Sequence, residues 1–369
     1  MRIGIITIHH VTNYGAVMQN YALSQTLAKM GADVETVDYR PDIAVQKYKP
    51  KLFKKGVPAI RAYLRHRGFQ QFIANKLPLS PDRYATREEL ARGIGRYDIL
   101  IAGSDQIWCV GAGSFRGYDP NFFLDVSAGA NVRKYSYAAS AGDTHDFEPH
   151  TAEVTAALSS FTDIAVRDEH TATLIRKTTS REPTVVLDPV FLHNFEELVG
   201  DVKPTNDLVV FCSRPDRIGP TARALADKFN MRIVSLIHSF DEADTCHRVL
   251  SPVDWLRHLR GARAVLTDYF HGLAVSLRFG RPVAVDPAPG KAKKILDLLA
   301  RVGMESFHLN PPSPTSLNAS LVHAIQNPEA YRTTLNQRLA GPEKISHDFL
   351  RNILHPRQVE EPPVAQLIA

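Results

Sequence analysis

Short apolar runs that alternate with helix-length segments constrain this chain more than any other feature. "RIGIITI" at 2–8 reads as a buried strand, Gln19 to Met30 as a helix ended by Gly31, and "DVETVDY" at 33–39 as a second strand. "YDILIAG" at 97–103, "RKYSYAAS" at 133–140, "DIAVRDE" at 163–169 and "TVVLDPV" at 184–190 continue the series. Strands that alternate with helices predict a parallel sheet covered on both faces. A second set opens at "LVVFCS" (208–213). It continues through a helix around Thr221 to Phe229, "RIVSLI", the helix "PVDWLRHL", "RAVLTD", a helix from Gly272 to Phe279, and "PVAVD". Pro183, Pro189 and the polar "GDVKPTND" at 200–207 mark the break between the sets. The expectation is two doubly wound, Rossmann-like α/β domains, 1–200 and 201–354, facing across a cleft, with a polar tail at 355–369. Ligands of such sheets bind beyond the carboxyl ends of the strands, so the loops after strands are where chemistry is sought.

Charge is uneven along the chain. The net charge is +5, yet Lys47, Lys49, Lys51, Lys54, Lys55, Arg61, Arg65, Arg67 and Lys76 fall between Ile43 and Pro81 with no acidic residue among them. Without those nine cations the balance is 5 − 9 = −4, so the basic character belongs to an insertion at 43–81 with helical spacing around Ile60, Tyr63 and Leu64. Such a cluster suits a solvated helix face, or an anionic partner such as a membrane surface or a lipid diphosphate. No nucleic-acid motif accompanies it. Cys109, Cys212 and Cys246 are odd in number and widely spaced, which predicts reduced, isolated thiols. The opening apolar run lacks a cleavage site, and no stretch approaches the roughly 20 apolar residues of a membrane span. A cytoplasmic protein is expected, at the inner face of the membrane if the basic insertion meets lipid.

Four loops after strands carry candidate chemistry. In "HHVTNYGA" Asn13 can cap the following helix and Gly15 permits close backbone approach, with Tyr14 beside them. In "AGSDQIW" Ser104, Asp105 and Gln106 leave a buried strand, a pattern that also makes ordinary turns. "TDYFHGLAVSLRFG" sets His271 and Gly272 at the first turn of an apolar helix, where free amides attract anions beside an imidazole that titrates near neutrality. In "AVRDE" Arg167 suits a carboxylate or phosphate, or an interdomain salt bridge.

Together these loops resemble the polysaccharide pyruvyltransferase family. The matching stretches, in the family's order over about 270 residues, are "NYGAVMQNYAL" at 13–23, "GSDQIW" at 103–108, "YAAS" at 137–140, "AVRDE" at 165–169, "LDPVFL" at 187–192 and "TDYFHG" at 267–272. The resemblance implies a GT-B-like pair of domains. It also implies transfer of a pyruvyl group from phosphoenolpyruvate to a sugar as a cyclic ketal, with phosphate released. It implies acid/base work and phosphate contact by His271, a base or hydroxyl-orienting role for Asp105, and an anion-holding role for Arg167. Donor contacts fall to Arg214, Asp268, Tyr269, Phe270, Gly272 and Lys293. Acceptor contacts fall to Asn13, Tyr14, Gly15, Gln19, Gly103, Ser104 and Ser140. No metal or redox cofactor is expected, and the implied acceptor is a saccharide, free or carried on a lipid diphosphate.

The chain departs from the family pattern at three positions. Tyr269 stands two before the motif His where Ser or Arg is common, Leu273 where Thr is frequent, and Cys109 where Asn often follows the Trp. A cation elsewhere, Arg214 or Lys293, is expected to compensate for Tyr269. Two alternatives stay open at this level. One is a glycosyltransferase using a nucleotide sugar, with Asp286 or Glu242 as a ribose ligand; the other is a saccharide-binding member without turnover.

Overall fold

The computed structural model describes residues 1–48, 56–110, 117–126, 131–288, 290 and 292–356. Lys49, Lys51, Lys54 and Lys55 of the basic insertion, and nearly all of the polar tail, lie outside the described residues.

The first sheet is built from β1 (Arg2–Ile6), β2 (Asp33–Tyr39), β3 (Leu79–Tyr84), β4 (Ile99–Ala102), β5 (Arg133–Ala139), β6 (Asp163–Val166) and β7 (Thr184–Val185). Its strands are all parallel in the order β3-β2-β1-β4-β5-β6-β7. The second comprises β8 (Asp207–Phe211), β9 (Arg232–Leu236), β10 (Thr245–His247), β11 (Ala264–Thr267) and β12 (Val283–Val285), parallel in the order β10-β9-β8-β11-β12. In each sheet the chain reverses direction once, between β1 and β4 and between β8 and β11. The loops that part at such a point leave a crevice beyond the strand ends. The two expected doubly wound domains are therefore present, in a GT-B-like pairing.

Around the first sheet run α1 (Tyr14–Lys29), α2 (Asp42–Tyr48), α3 (Val57–Lys76), α4 (Arg87–Gly93), α5 (Thr151–Ser159), α6 (Glu169–Thr178) and α7 (Glu196–Val199). With the second sheet come α8 (Pro215–Phe229), α9 (Pro252–Gly261), α10 (Phe270–Arg278), α11 (Ala292–Arg301), α12 (Ala319–Gln326) and α13 (Pro328–Leu354). Burial of the apolar strand runs supplies the main driving force: Ile3, Ile5, Ile99 and Ile101 in one sheet, and Leu208, Val210, Val265 and Val283 in the other, are wholly buried.

The structure amends the sequence reading at several points. Helix α1 begins at Tyr14, five residues before the expected Gln19, because Asn13 accepts a hydrogen bond from the Ala16 amide (3.3 Å) and caps it there. Likewise α8 starts at Pro215 and α10 at Phe270, ahead of the expected Thr221 and Gly272. "TVVLDPV" yields only the two-residue β7, after which Asp188 caps a 3-10 turn at Pro189–Leu192.

The two domains are also more fused than expected. Tyr14, Val17, Met18 and Tyr21 of α1 and Phe69, Phe72 and Ile73 of α3 join the apolar core of the second domain. At the other end Phe349, Leu350, Ile353 and Leu354 of α13 pack with Ile3 and Ile5, so the last turns of the expected second domain belong physically to the first.

Candidate active site

Both switch points open onto one cavity of about 480 Å³, lined from the first domain by Asn13, Tyr14, Gly15, Asp105, Gln106 and Cys109 and from the second by Phe211, Ile237, Tyr269, Phe270 and His271. Lys47, Arg65 and Lys294 add cations to its wall. Two helices begin there. The start of α1 is capped by Asn13, whereas no side chain caps α10, whose first amides stay available beside His271.

Closure of the cleft depends on side chains that cross it. The Tyr14 ring stacks on Trp255 (5.2 Å between centroids), meets Phe69 and Phe211 edge-on, and donates its hydroxyl to the Leu250 carbonyl at 3.0 Å. Burial drives its pKa upward. Tyr14 thus lines the cavity as an interdomain anchor. Gly15 lies beneath His271: a β-carbon there would come within 1.9 Å of the imidazole Nδ1, so only glycine admits the ring. Gly272 is required in the same way, since a β-carbon would stand 2.3 Å from Thr267 Oγ1.

Behind the imidazole is a carboxylate whose role the sequence reading did not assign. Asp188 Oδ2 lies 3.3 Å from His271 Nε2 and 3.2 Å from Arg167 Nη1, and it accepts the Ser104 hydroxyl at 3.1 Å. Its Oδ1 takes the Val190 amide at 3.1 Å. The side chain is fully buried. Burial alone would raise its pKa; His271 first, then Arg167 and the Val190 amide, outweigh it and hold the group down to about 2.

Asp105 completes the charged group. Its Oδ1 is 3.8 Å from Arg167 Nη1 and accepts the Gln106 amide at 2.8 Å. Burial pushes its pKa upward, but Arg167, His271 and Lys294 together hold it below the usual carboxylate value. Its backbone φ of +81° is one that non-glycine residues rarely adopt, and it is kept by the Asp105 carbonyl accepting the Ile107 and Ser140 amides at 2.8 and 3.0 Å. Such a conformation costs on the order of 1–3 kcal/mol and persists where the surroundings over-determine it. Arg167 sits between the two carboxylates, 2% exposed, with its guanidinium 4.6 Å over the Phe270 ring.

Other expected site residues fall outside the cavity. Gln19 is wholly buried inside α1, its amide donating to Thr7 Oγ1 and the Ala16 carbonyl, so it is a packing residue and not an acceptor contact. Gly103 packs on Thr7 and Ile5. Ser104 is committed to Asp188, and Ser140 donates to Asp168 Oδ2 at 2.7 Å. Asp168 caps α6 through the Thr171 amide. Asp268 accepts the Ser213 amide and hydroxyl and braces the loop. Arg214 reaches Asp286 and the Pro287 carbonyl, and Lys293 points to solvent. The expected compensating cations therefore do not line the cavity; Arg65 and Lys294 do. Tyr269 lines it too, its hydroxyl pushed up to about 12 by burial and then by Asp268.

The family model for polysaccharide pyruvyl transferase matches residues 13–285. No curated protein matches the chain in sequence. Among solved structures, UDP-GlcNAc 2-epimerase from Neisseria meningitidis bound to UDP-GlcNAc superposes with a TM-score of 0.57 at 11% identity, over 96% of this chain and 100% of that one. The UDP-GlcNAc 2-epimerase from Methanocaldococcus jannaschii gives 0.54 at 12% identity over 96% and 99%. Likeness at that identity concerns the fold alone.

Proposed function

The chain belongs to the polysaccharide pyruvyl transferase family, and from that premise we propose that it moves a pyruvyl group from phosphoenolpyruvate onto two hydroxyls of a saccharide, forming a cyclic ketal and releasing phosphate. The observation that carries the reading is the convergence of His271 and Asp105, from opposite domains, on one cation-walled cavity, tied together behind it by Arg167 and Asp188.

The reaction starts when a proton reaches the methylene carbon of the donor, leaving an oxocarbenium-like centre at the neighbouring carbon. One sugar hydroxyl bonds to that carbon, the carbon–oxygen bond to phosphate breaks, and a second hydroxyl closes the ring. Of the two hydroxyl protons lost, one balances the proton taken by the methylene carbon and the other leaves with phosphate. His271, oriented by the buried Asp188, is the proton carrier in this scheme. Asp105 has a depressed pKa and stays ionised near neutrality. It is a weak base but a well-placed negative charge, suited to orienting a hydroxyl and stabilising the cationic centre. Arg167 positions both carboxylates.

The donor is highly anionic, and the uncapped start of α10 together with Arg65 and Lys294 supplies the matching positive field. Arg65 Nε is buried with no hydrogen-bond partner among the described residues, and its charge bears on the Tyr269 hydroxyl. In this reading α3 provides the cation that Tyr269 withholds. A nucleotide-sugar transferase is less well supported: Asp286 is held by Arg214 and Arg217, and the Glu242 carboxylate lies against Gly219 of α8.

Two measurements test the proposal. Phosphoenolpyruvate is expected to raise the melting temperature, and a panel of nucleotide sugars to leave it unchanged. Phosphate release with saccharide acceptors is expected to vanish in His271→Ala while folding persists. A rise with nucleotide sugars alone, or full turnover in His271→Ala, overturns it.

A further inference from the structure

Six of the ten large hydrophobic side chains exposed among the described residues fall between residues 43 and 64: Ile43, Val45, Val57, Ile60, Tyr63 and Leu64. Two features make this clustering informative. Val57, Ile60 and Leu64, at 55%, 58% and 44% exposure, follow helical spacing and form one outward stripe on the first half of α3, with Tyr63 and Arg67 on its flank. The opposite face of the same helix runs on into Phe69, Phe72 and Ile73, which anchor it in the interdomain core. So α3 is fixed by its second half and holds an apolar stripe out to solvent on its first. The helix that carries the stripe also reaches the site, because Arg65 of α3 lines the cavity, as does Lys47 of α2.

We propose that this face of α2 and α3 docks the protein on an anionic lipid bilayer and brings the cavity mouth to the membrane surface. Charge decides the occupant. From Ile43 to Pro81 the chain has no acidic residue, and Arg61 and Arg67 flank the exposed apolar stripe of α3. A second copy of the same face would set like charges against one another, whereas acidic headgroups neutralise them while acyl chains take up the apolar stripe. Long Arg side chains beside such a stripe keep their charges at headgroup level as their stems cover apolar surface. No described helix is long and apolar enough to cross a membrane, so the contact is peripheral. Docking of this kind suits an acceptor saccharide carried on a lipid, whose sugar would then meet the cavity without leaving the surface.

The test is co-sedimentation of the full chain with vesicles of phosphatidylcholine, with and without roughly one third phosphatidylglycerol. Binding to the anionic vesicles is expected to be at least about tenfold tighter and to fall as salt is raised. Ile60→Glu combined with Leu64→Glu is expected to weaken it by about tenfold or more, and Arg61→Glu with Arg67→Glu to weaken it and flatten its salt dependence. All four positions lie away from Asp105, His271 and Asp188, so an unchanged melting temperature and an unchanged response to phosphoenolpyruvate separate failure of docking from failure of the functional reading. Absence of binding to anionic vesicles, equal binding by the Ile60/Leu64 variant, or a solution dimer dispersed by that variant would each overturn the proposal.

Discussion

His271 rests on the α-carbon of Gly15, with its Nδ1 where a methyl group on that carbon would have to go. The contact joins the first turn of α1 to the first turn of α10, and its two residues are 271 − 15 = 256 positions apart in the chain. Its other nitrogen, Nε2, lies within ion-pair distance of Asp188, 3.3 Å from Oδ2, without hydrogen-bond geometry. The imidazole is therefore held from both sides, by a missing side chain in front and a buried carboxylate behind.

Gly15→Ala is expected to be more harmful to turnover than to folding. A β-carbon 1.9 Å from Nδ1 cannot coexist with the present ring, so His271 must rotate or the two domains must part. Overpacking of this kind costs about 1–3 kcal/mol, while displacement of a proton carrier by about 1 Å costs on the order of 100-fold in rate. Activity assays beside thermal melts check this, and native turnover in the alanine variant would show that the ring position is immaterial.

Asp188→Asn removes a charge while keeping the shape, leaving the Arg167 guanidinium only its longer contact with Asp105. Loss of one member of such a pair destabilises by about 3–5 kcal/mol. The sign with pH is fixed by the depressed value. Asp188 falls from a usual 3.8 to about 2, so its contribution is whole above roughly pH 4 and is lost as the pH drops toward 2. The native protein should lose stability through that window by about 2 kcal/mol more than the Asn variant. Identical acid-unfolding curves would contradict the assignment.

Most of the fold was legible because strands buried on both faces read as continuous apolar runs, and both domain sets follow from them. The beginning of α1 was hidden for the opposite reason. The helix is buried nearly all round, from Tyr14 to Ser24, so no polar stripe marks its first turn and the pattern alone starts it at Gln19. Asp188 lies within "LDPVFL", where nothing local marks it; only the packing of α10 against it gives it His271 as a neighbour. Arg65 and Lys294 were equally unreadable as site residues, since which cation of a basic segment faces a cavity depends on how α3 and α11 lie on the second domain. His271 and Asp105 are readable as cavity-lining candidates because each follows a strand end within a few residues, and Gly15 because it sits in the loop-to-helix turn after β1.

Asp105→Asn is expected to fold normally, as Asn tolerates a positive φ almost as well as any residue but glycine. Turnover should fall by about 100-fold, because the amide neither carries the charge that faces the reacting centre nor accepts a proton. The carboxyl group is held below the usual value, so its ionisation should leave no limb in the pH–rate profile above about pH 5. An acidic limb above that pH which disappears in the Asn variant would be incompatible with the charge environment described.

Arg65→Gln separates donor binding from chemistry. The guanidinium lines the cavity, and no acidic side chain lies within ion-pair distance of it among the described residues. Tyr269, two residues before His271, cannot offer a cation, whereas Arg65 of α3 bears on that hydroxyl and can meet a carboxylate or phosphate. Charge-assisted hydrogen bonds are worth about 1.5–3 kcal/mol. Removing Arg65 should then raise KM for phosphoenolpyruvate by about 10- to 100-fold and leave kcat within a few-fold, since His271, Asp188 and Asp105 are untouched. Arg65→Lys should recover part of the loss, because the charge returns without the planar fork. An unchanged KM in the Gln variant would remove Arg65 from the donor site and return the search to Lys294.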